Sequence, residues 1–267
     1  MIDDAIGWAR AAGRVLMAHF GRTTETAQKS DLSNVVTAAD LASEQTIVQA
    51  IRQRHPTHSI IAEETGCDWR DSEFTWVVDP LDGTSNFAAG IPWFGVLIAL
   101  LRAGEPVLGV LHLPVSGDLY CAERGGGAFR DGHRISVTTE PQLSNVLWAW
   151  GMDAADSDAA AAYDAALLAR VLQRVRNVRA TNSLVDAAYV SDGRLGGMAN
   201  RSTRIWDIAA PMVIVGEAGG VYTRADGAAL ALDVTGSAAD RVYAVMAAAP
   251  ALHRQMVALM GPPSGTR

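Results

Sequence analysis

The chain has 267 residues, 49% of them hydrophobic and 19% charged, a balance that suits a globular protein with a sizeable core and excludes disordered and fibrous classes. Its formal net charge is −7 and no Lys/Arg-rich run occurs, which disfavours nucleic acid as a broad electrostatic partner. Two cysteines, Cys67 and Cys121, make no disulfide framework, the acidic N-terminus lacks a signal-peptide pattern, and no apolar run reaches about 18 residues; a cytoplasmic protein without membrane contact is expected.

Ile6, Ala9, Val15, Leu16 and Phe20 share one stripe, which predicts an amphipathic helix over 3–20. Residues 21–36 are polar and read as a loop long enough to be functional. Helical spacing returns over 39–54, and Pro56 follows its end. SIIAEE and FTWVVD read as buried strands whose C-terminal ends deliver carboxylates. Residues 93–101 and 107–113 read as neighbouring strands with a turn at 103–105. Leu119 to Val137 adds further strands, with Asp131-Gly132 as a tight hairpin turn. A second region begins near 141–145, with helices expected over 158–176, 182–193 and 206–218, the last ended by Gly219-Gly220. VYTRADGAALAL reads as a hairpin and RVYAVMAAA as a last buried strand before a short helix. The uneven alternation predicts a layered α/β (α+β) fold: an N-terminal region 1–140, a C-terminal region 141–260 and a disordered tail 261–267.

The stretch WVVDPLDGTSNF, residues 76–87, carries Asp79 and Asp82 three apart. A turn followed by a helix cap accounts for one of them, since P-x-D-G is a turn composition and Asp and Thr cap helices. It leaves the other, and the Glu63-Glu64 pair ending the neighbouring strand, unexplained. Two like charges about 4 Å apart repel by on the order of 4 kcal/mol at an effective dielectric of about 20, unless a cation lies between them. Oxygen ligands without His or Cys favour Mg²⁺, then Mn²⁺. Such an ion shares its shell with a phosphate, which the amides of Gly83 and Thr84 at a helix start would bind. In outline, Asp79 bridges two metals and Asp82 serves the second. Asp207 beside Trp206 also reads as a helix cap.

With Glu63-Glu64, D-P-L-D-G-T at 79–84, W-D-I-A-A at 206–210 and G-E-A-G-G at 216–220, the chain resembles the inositol monophosphatase family over roughly residues 5–250. The resemblance implies an αβαβα sandwich, a homodimer, and a lithium-sensitive phosphoric monoester hydrolase with two or three Mg²⁺ per site. It implies hydrolysis of a small phosphorylated metabolite by metal-activated water. Glu63, Asp79 and the Leu81 carbonyl match ligands of the first metal, with Asp79 bridging; Asp82 and Asp207 match the second, and a third ion would share Glu63. Thr84 and Asp40 match a dyad that orients the attacking water. Lys29 falls in the counterpart of a mobile lysine-bearing loop. Thr181, Asn182, Ser183 and Asn200, with Asp82 and Asp207, fall at positions that contact substrate hydroxyls. Asn200 stands where inositol-specific members carry Glu, and an amide donates as well as accepts. Arg201 and Arg204 read as solvated surface residues or as contacts to a more anionic substrate, and His112 and His133 as structural. An inositol 1-phosphate-like substrate is expected. Histidinol phosphate, a sugar (bis)phosphate or 3′-phosphoadenosine 5′-phosphate would use the same chemistry. A regulatory binding protein on this fold is the alternative of another class.

Overall fold

Small apolar side chains on one stripe let the first helix lie close to a sheet. Helix α1 (Ile2–His19) buries Ala5, Ala9, Ala12, Gly13 and Leu16. The computed structural model describes residues 1–21, 26–28, 35–152 and 157–260; Lys29 and the tail 261–267 lie outside them. Where the sequence reads as loop throughout 21–36, strands β1 (Thr26–Gln28) and β2 (Val35–Thr37) pair antiparallel. The β-branched run Val35-Val36-Thr37 favours extended backbone despite its polar surroundings. Helix α2 (Ala38–Arg54) follows.

Strands β3 (Ser59–Ala62), β4 (Gly66–Asp68), β5 (Phe74–Asp82), β6 (Gly95–Arg102), β7 (Glu105–Leu113), β8 (Asp118–Glu123), β9 (Gly127–Arg130) and β10 (His133–Arg134) form one sheet. Its order is β10-β9-β8-β7-β6-β5-β3-β4, and β3 runs parallel to β5. Helix α3 (Thr84–Ala88) leaves the end of β5. The expected turns form at Ala103-Gly104 and Asp131-Gly132, all four residues at positive φ, as the twist of a two-residue hairpin requires. Along β5, Trp76 and Val78 pack with residues of α1 and α2, while Val77 packs into the other core cluster with Leu97, Ala99 and Leu101. Both faces are covered, so these strands read as unbroken apolar runs.

The second sheet contains β11 (Leu147–Gly151), β12 (Asn177–Arg179), β13 (Gly197–Thr203), β14 (Val221–Arg224) and β15 (Tyr243–Ala248), in the order β12-β11-β13-β15-β14. Helices α5 (Val185–Ser191) and α6 (Ile205–Glu217) fill the space between the sheets, with α6 touching both. Helices α4 (Asp158–Leu172) and α7 (Pro250–Met260) pack together on the far side of the second sheet. The result is the expected αβαβα sandwich. Gly109 lets α6 lie against β7: a Cβ there would stand 2.5 Å from the Ala210 carbonyl oxygen.

Several boundaries differ from the sequence reading. Helix α5 starts after 182 because Asn182 holds a φ of 51°, outside the helical region. Helix α4 stops at Leu172, and the chain enters β12 five residues later. The segment 221–232 turns at Asp226-Gly227, where the Asp226 carboxylate accepts from the Ala228 amide at 3.0 Å. The Arg224 amide donates to the Ala228 carbonyl at 3.0 Å and closes the turn, but no strand follows it, and β14 pairs along its length with β15. Strand β5 runs on through Pro80 to Asp82, with a register shift against β6 between Asp79 and Asp82. Proline has no amide to give the ladder, so a bulge sits there. Among the described residues no helix is long and apolar enough to cross a membrane.

Candidate metal centre

Strands β3 and β5 run parallel and end on the same edge. The Glu63 amide donates to the Val78 carbonyl at 3.3 Å, continuing that pairing one residue past β3 and bringing Glu63 beside Asp79. Period two puts Asp79 on the Val77 side of the sheet, facing the middle helices. The Leu81 amide donates to Asp79 Oδ1 at 3.1 Å. Gly83 then turns the chain at a φ of 85°; a Cβ there would stand 2.5 Å from the Trp93 carbonyl oxygen. Both constraints select glycine. Thr84 opens α3, its hydroxyl donating to the Leu81 carbonyl at 2.9 Å. Asp82 Oδ1 accepts from the Leu184 amide at 2.6 Å. Asp207 Oδ2 accepts from the Arg204 amide at 2.6 Å, so it caps α6 while also facing the cleft.

Oxygen atoms of Asp79, Asp82 and Asp207 lie within 4.8 Å of one another. Asp79 is 1% exposed. Burial first, then the charges of Glu63, Asp82, Asp207 and Asp40, push its carboxyl well above the ordinary carboxylate range. The Tyr222 hydroxyl is also driven upward, by burial and then by Asp207 and Asp82. A bound cation would offset the repulsion in such a set. The donors are hard oxygens, and among the described residues no His or Cys lines the cleft. They therefore fit Mg²⁺ or Mn²⁺ and not zinc.

Glu63, Leu81, Gly83, Thr84, Asn182, Ser183 and Asn200 line the same cleft as the three aspartates, a cavity of about 510 Å³. Arg201 and Arg204 also reach it. Arg201 pairs with Asp164, and Arg204 donates to the Asp240 carbonyl. Asn200 Oδ1 accepts from the Ser202 amide at 2.9 Å. Asp40 is buried in the first turn of α2 and does not line the cleft; its charge acts on Asp79. Thr181 stands behind the wall: its hydroxyl donates to Asp186 at 2.7 Å and its carbonyl accepts from Asn86 at 2.9 Å. His112 is buried with Nδ1 3.2 Å from the Asp118 carbonyl, and His133 is exposed at the sheet edge.

Two buried carboxylates escape the sequence reading. Glu44 accepts from the amides of Glu64 and Thr65 at 2.7 and 2.8 Å, fixing the turn that carries Glu63. Burial raises its carboxyl despite those bonds. A signal existed: Asp40, Ser43, Glu44, Ile47 and Ile51 form one buried stripe of α2, apolar at one end and acidic at the other. Asp186 lines the cleft and holds Thr181; burial raises its carboxyl to about 7.

Fold and site together define a layered α/β protein with an acidic, oxygen-lined cleft opening between its two sheets. The chain belongs to the inositol monophosphatase family, whose model matches residues 1–259. It is 34% identical over 223 residues to the fructose-1,6-bisphosphatase/inositol-1-monophosphatase of Thermotoga maritima, covering 83% of this chain and 84% of that one. It is also 34% identical to the Nus factor SuhB of Escherichia coli K12, over 84% of each chain. The crystal structure of the extragenic suppressor protein suhB from Bartonella henselae superposes with a TM-score of 0.88 at 29% identity, covering 99% of this chain and 98% of that one.

Proposed function

We propose that the chain is a Mg²⁺-dependent phosphoric monoester hydrolase acting on a small alcohol phosphate of the inositol 1-phosphate type. The observation that carries this reading is the convergence of Asp79, Asp82 and Asp207 oxygens within 4.8 Å beside the start of α3. Glu63, Asp79, the Leu81 carbonyl, Asp82 and Asp207 would hold the ions. When bound, Mg²⁺ polarises the phosphoryl group and lowers the pKa of water towards neutrality. The amides of Gly83, just before α3, and of Thr84, its first residue, bind the phosphate. Thr84, at the cleft, would orient the attacking water, while Asp40, buried behind the cleft, acts through its charge on Asp79, so that the protein contributes position and charge. Asn182, Ser183 and Asn200 hydrogen-bond substrate hydroxyls, with Thr181 supporting them from behind. A relative from Mesorhizobium japonicum, 35% identical over 237 residues, is named inositol-1-monophosphatase, which supports this substrate class.

The name Nus factor SuhB on other relatives favours a second reading, a regulatory binding protein. The complete acidic set and the Thr84 hydroxyl beside it support catalysis over binding alone. The test is phosphate release from inositol 1-phosphate, histidinol phosphate, fructose 1,6-bisphosphate and 3′-phosphoadenosine 5′-phosphate. Release in Mg²⁺, its loss in EDTA and its inhibition by Li⁺ are expected. No release from any of them, by folded and metal-loaded protein, moves the assignment to the regulatory reading.

A further inference from the structure

A hydrogen-bonded chain of three side chains ends at the wall of the cleft. Thr181 Oγ1 lies 2.7 Å from Asp186 Oδ1 and 3.2 Å from Ser183 Oγ. Asp186 and Thr181 are buried, at 3% and 9% exposure, while Ser183 lines the cleft. The chemistry proposed above asks only that Ser183 meet a substrate hydroxyl. Which of the two gives the proton is a separate matter, and the buried pair behind Ser183 bears on it.

The heavy atoms of this wall have little freedom. The Thr181 carbonyl accepts from Asn86 at 2.9 Å, and Asn182 Oδ1 accepts from the Met152 amide at 3.0 Å. The Ser183 carbonyl accepts from the Asp186 amide at 3.1 Å, and the Leu184 amide donates to Asp82 at 2.6 Å. With four successive residues tied down, what can vary is the direction of the two hydroxyl protons.

Proton counting fixes that direction. A hydroxyl has one proton to give and two lone pairs to receive with, and a carboxylate only receives. A hydrogen bond to a charged acceptor is stronger than one between neutral groups, so the Thr181 proton goes to Asp186. Thr181 has none left for Ser183. Two oxygens 3.2 Å apart with no proton between them repel, so the Ser183 proton goes to Thr181. Ser183 keeps its lone pairs for other partners. The Val185 amide approaches its Oγ at 3.4 Å, and a second lone pair is left for the cleft. We infer that the Asp186 carboxylate, acting through Thr181, makes Ser183 a hydrogen-bond acceptor toward the substrate, so that the cleft selects a substrate presenting a hydroxyl or ammonium donor at that wall. Asp186 is thereby a positioning residue. The inference rests on the hydrolase reading and adds to it the polarity of one substrate contact.

The test compares inositol 1-phosphate with its deoxyfluoro analogues, one for each remaining hydroxyl, on the Mg²⁺-loaded enzyme at about pH 9. Asp186 is ionised there, above the value of about 7 to which burial raises its carboxyl. Fluorine is close to a hydroxyl in size and cannot donate. At one ring position KM for the fluoro analogue should exceed that for the parent by at least about tenfold, because a site built to receive a proton rejects an analogue without one. Ser183→Ala should bring that ratio below about threefold and so identify the position. Thr181→Val and Asp186→Leu should do the same, since each frees the Ser183 proton to turn outward. Thr181→Ser, which keeps the hydroxyl, should retain the ratio. A disturbance of structure alone raises both KM values together and leaves their ratio as it was. A ratio absent at every position, or one that survives in Ser183→Ala, in Thr181→Val or in folded Asp186→Leu, overturns the inference. Thr181→Val decides even if Asp186→Leu does not fold. If the parent is not hydrolysed at all, the hydrolase reading fails separately. The same ratio is then read as Kd by calorimetry with Ca²⁺ in place of Mg²⁺: its loss in Thr181→Val sustains the inference, and no binding, or a ratio that survives, overturns it.

Discussion

Asp82 accepts from the Leu184 amide at 2.6 Å through its Oδ1 and stands among the like charges of Asp79 and Asp207. Asp82→Asn keeps an acceptor for Leu184 and removes the charge. Activity should fall by more than about 100-fold, since changing even an outer partner of a metal ligand costs 10–100-fold. In EDTA the variant should unfold at the wild-type temperature or above it, because repulsion is relieved. Full activity would remove Asp82 from the metal site. Asp186 supports a different experiment. Its carboxyl stands at about 7 against an ordinary 3.8 because it is buried. The folded chain thus binds a proton that the unfolded chain has released. Stability from this group is complete below about pH 4 and is lost as pH rises through about 7. Asp186→Asn keeps an acceptor for the Thr181 hydroxyl and cannot ionise. It should flatten the fall in stability across that window by a few kcal/mol, read from urea unfolding at several pH values. An unchanged pH slope would show that Asp186 does not titrate there. The carboxylates that converge in the cleft were legible because they end apolar strands or open a helix at a recognisable spacing. Glu44 and Asp186 were not, because what each does is bind or face groups far along the chain or behind a wall, and a single carboxylate in a helical pattern gives no notice of that.

At the scale of elements, α6 carries Asp207, and its depth against the sheet depends on Gly109. A Cβ at that position would stand 2.5 Å from the Ala210 carbonyl oxygen and 3.0 Å from the Ala210 Cα. Those are backbone atoms of a helix and cannot swing aside. Gly109→Ala should therefore cost about 1–3 kcal/mol, as overpacking does, and displace α6 with Asp207. Thermal unfolding and Mg²⁺-dependent activity should both fall. An active variant with wild-type Tm would mean that α6 tolerates the shift. Elements of the first sheet were legible because its hairpins announce themselves with Ala-Gly and Asp-Gly turns between apolar runs. Those of the second sheet were less so. Leu147–Gly151 and Gly197–Thr203 mix Trp, Ala and Gly without clean alternation. Gly197 stays bare because the Trp148 ring occupies the space a Cβ would take, a pairing that only the fold brings about.

On the scale of the whole molecule, the acidic cluster joins layers. Glu63, Asp79 and Asp82 come from the eight-stranded sheet, Asp207 from a helix of the middle layer, and Leu184, bonded to Asp82, precedes the other middle helix. Without a cation, like charges meet where these layers join; with one, the same contact becomes attractive. Mg²⁺ should therefore raise the unfolding temperature of the whole chain. At 100 times its Kd a ligand that binds only the folded state adds about 2.7 kcal/mol, which for a chain of this size is roughly 5–10 °C. The effect should depend on pH in a definite direction. In the metal-free fold the Asp79 carboxyl is raised by burial and its acidic neighbours, so the folded state holds a proton that the unfolded chain gives up at the ordinary carboxylate value. Metal-free stability from this group is complete at low pH and is lost as pH rises through the raised value. Mg²⁺ must displace that proton, so its binding strengthens over the same range. The gap between the unfolding temperatures in Mg²⁺ and in EDTA should thus widen as pH rises above the ordinary carboxylate range. In Asp79→Asn the gap should be small and flat. A wild-type gap that does not change with pH would mean that Asp79 is already ionised without metal, and that the layers are not held apart by its charge.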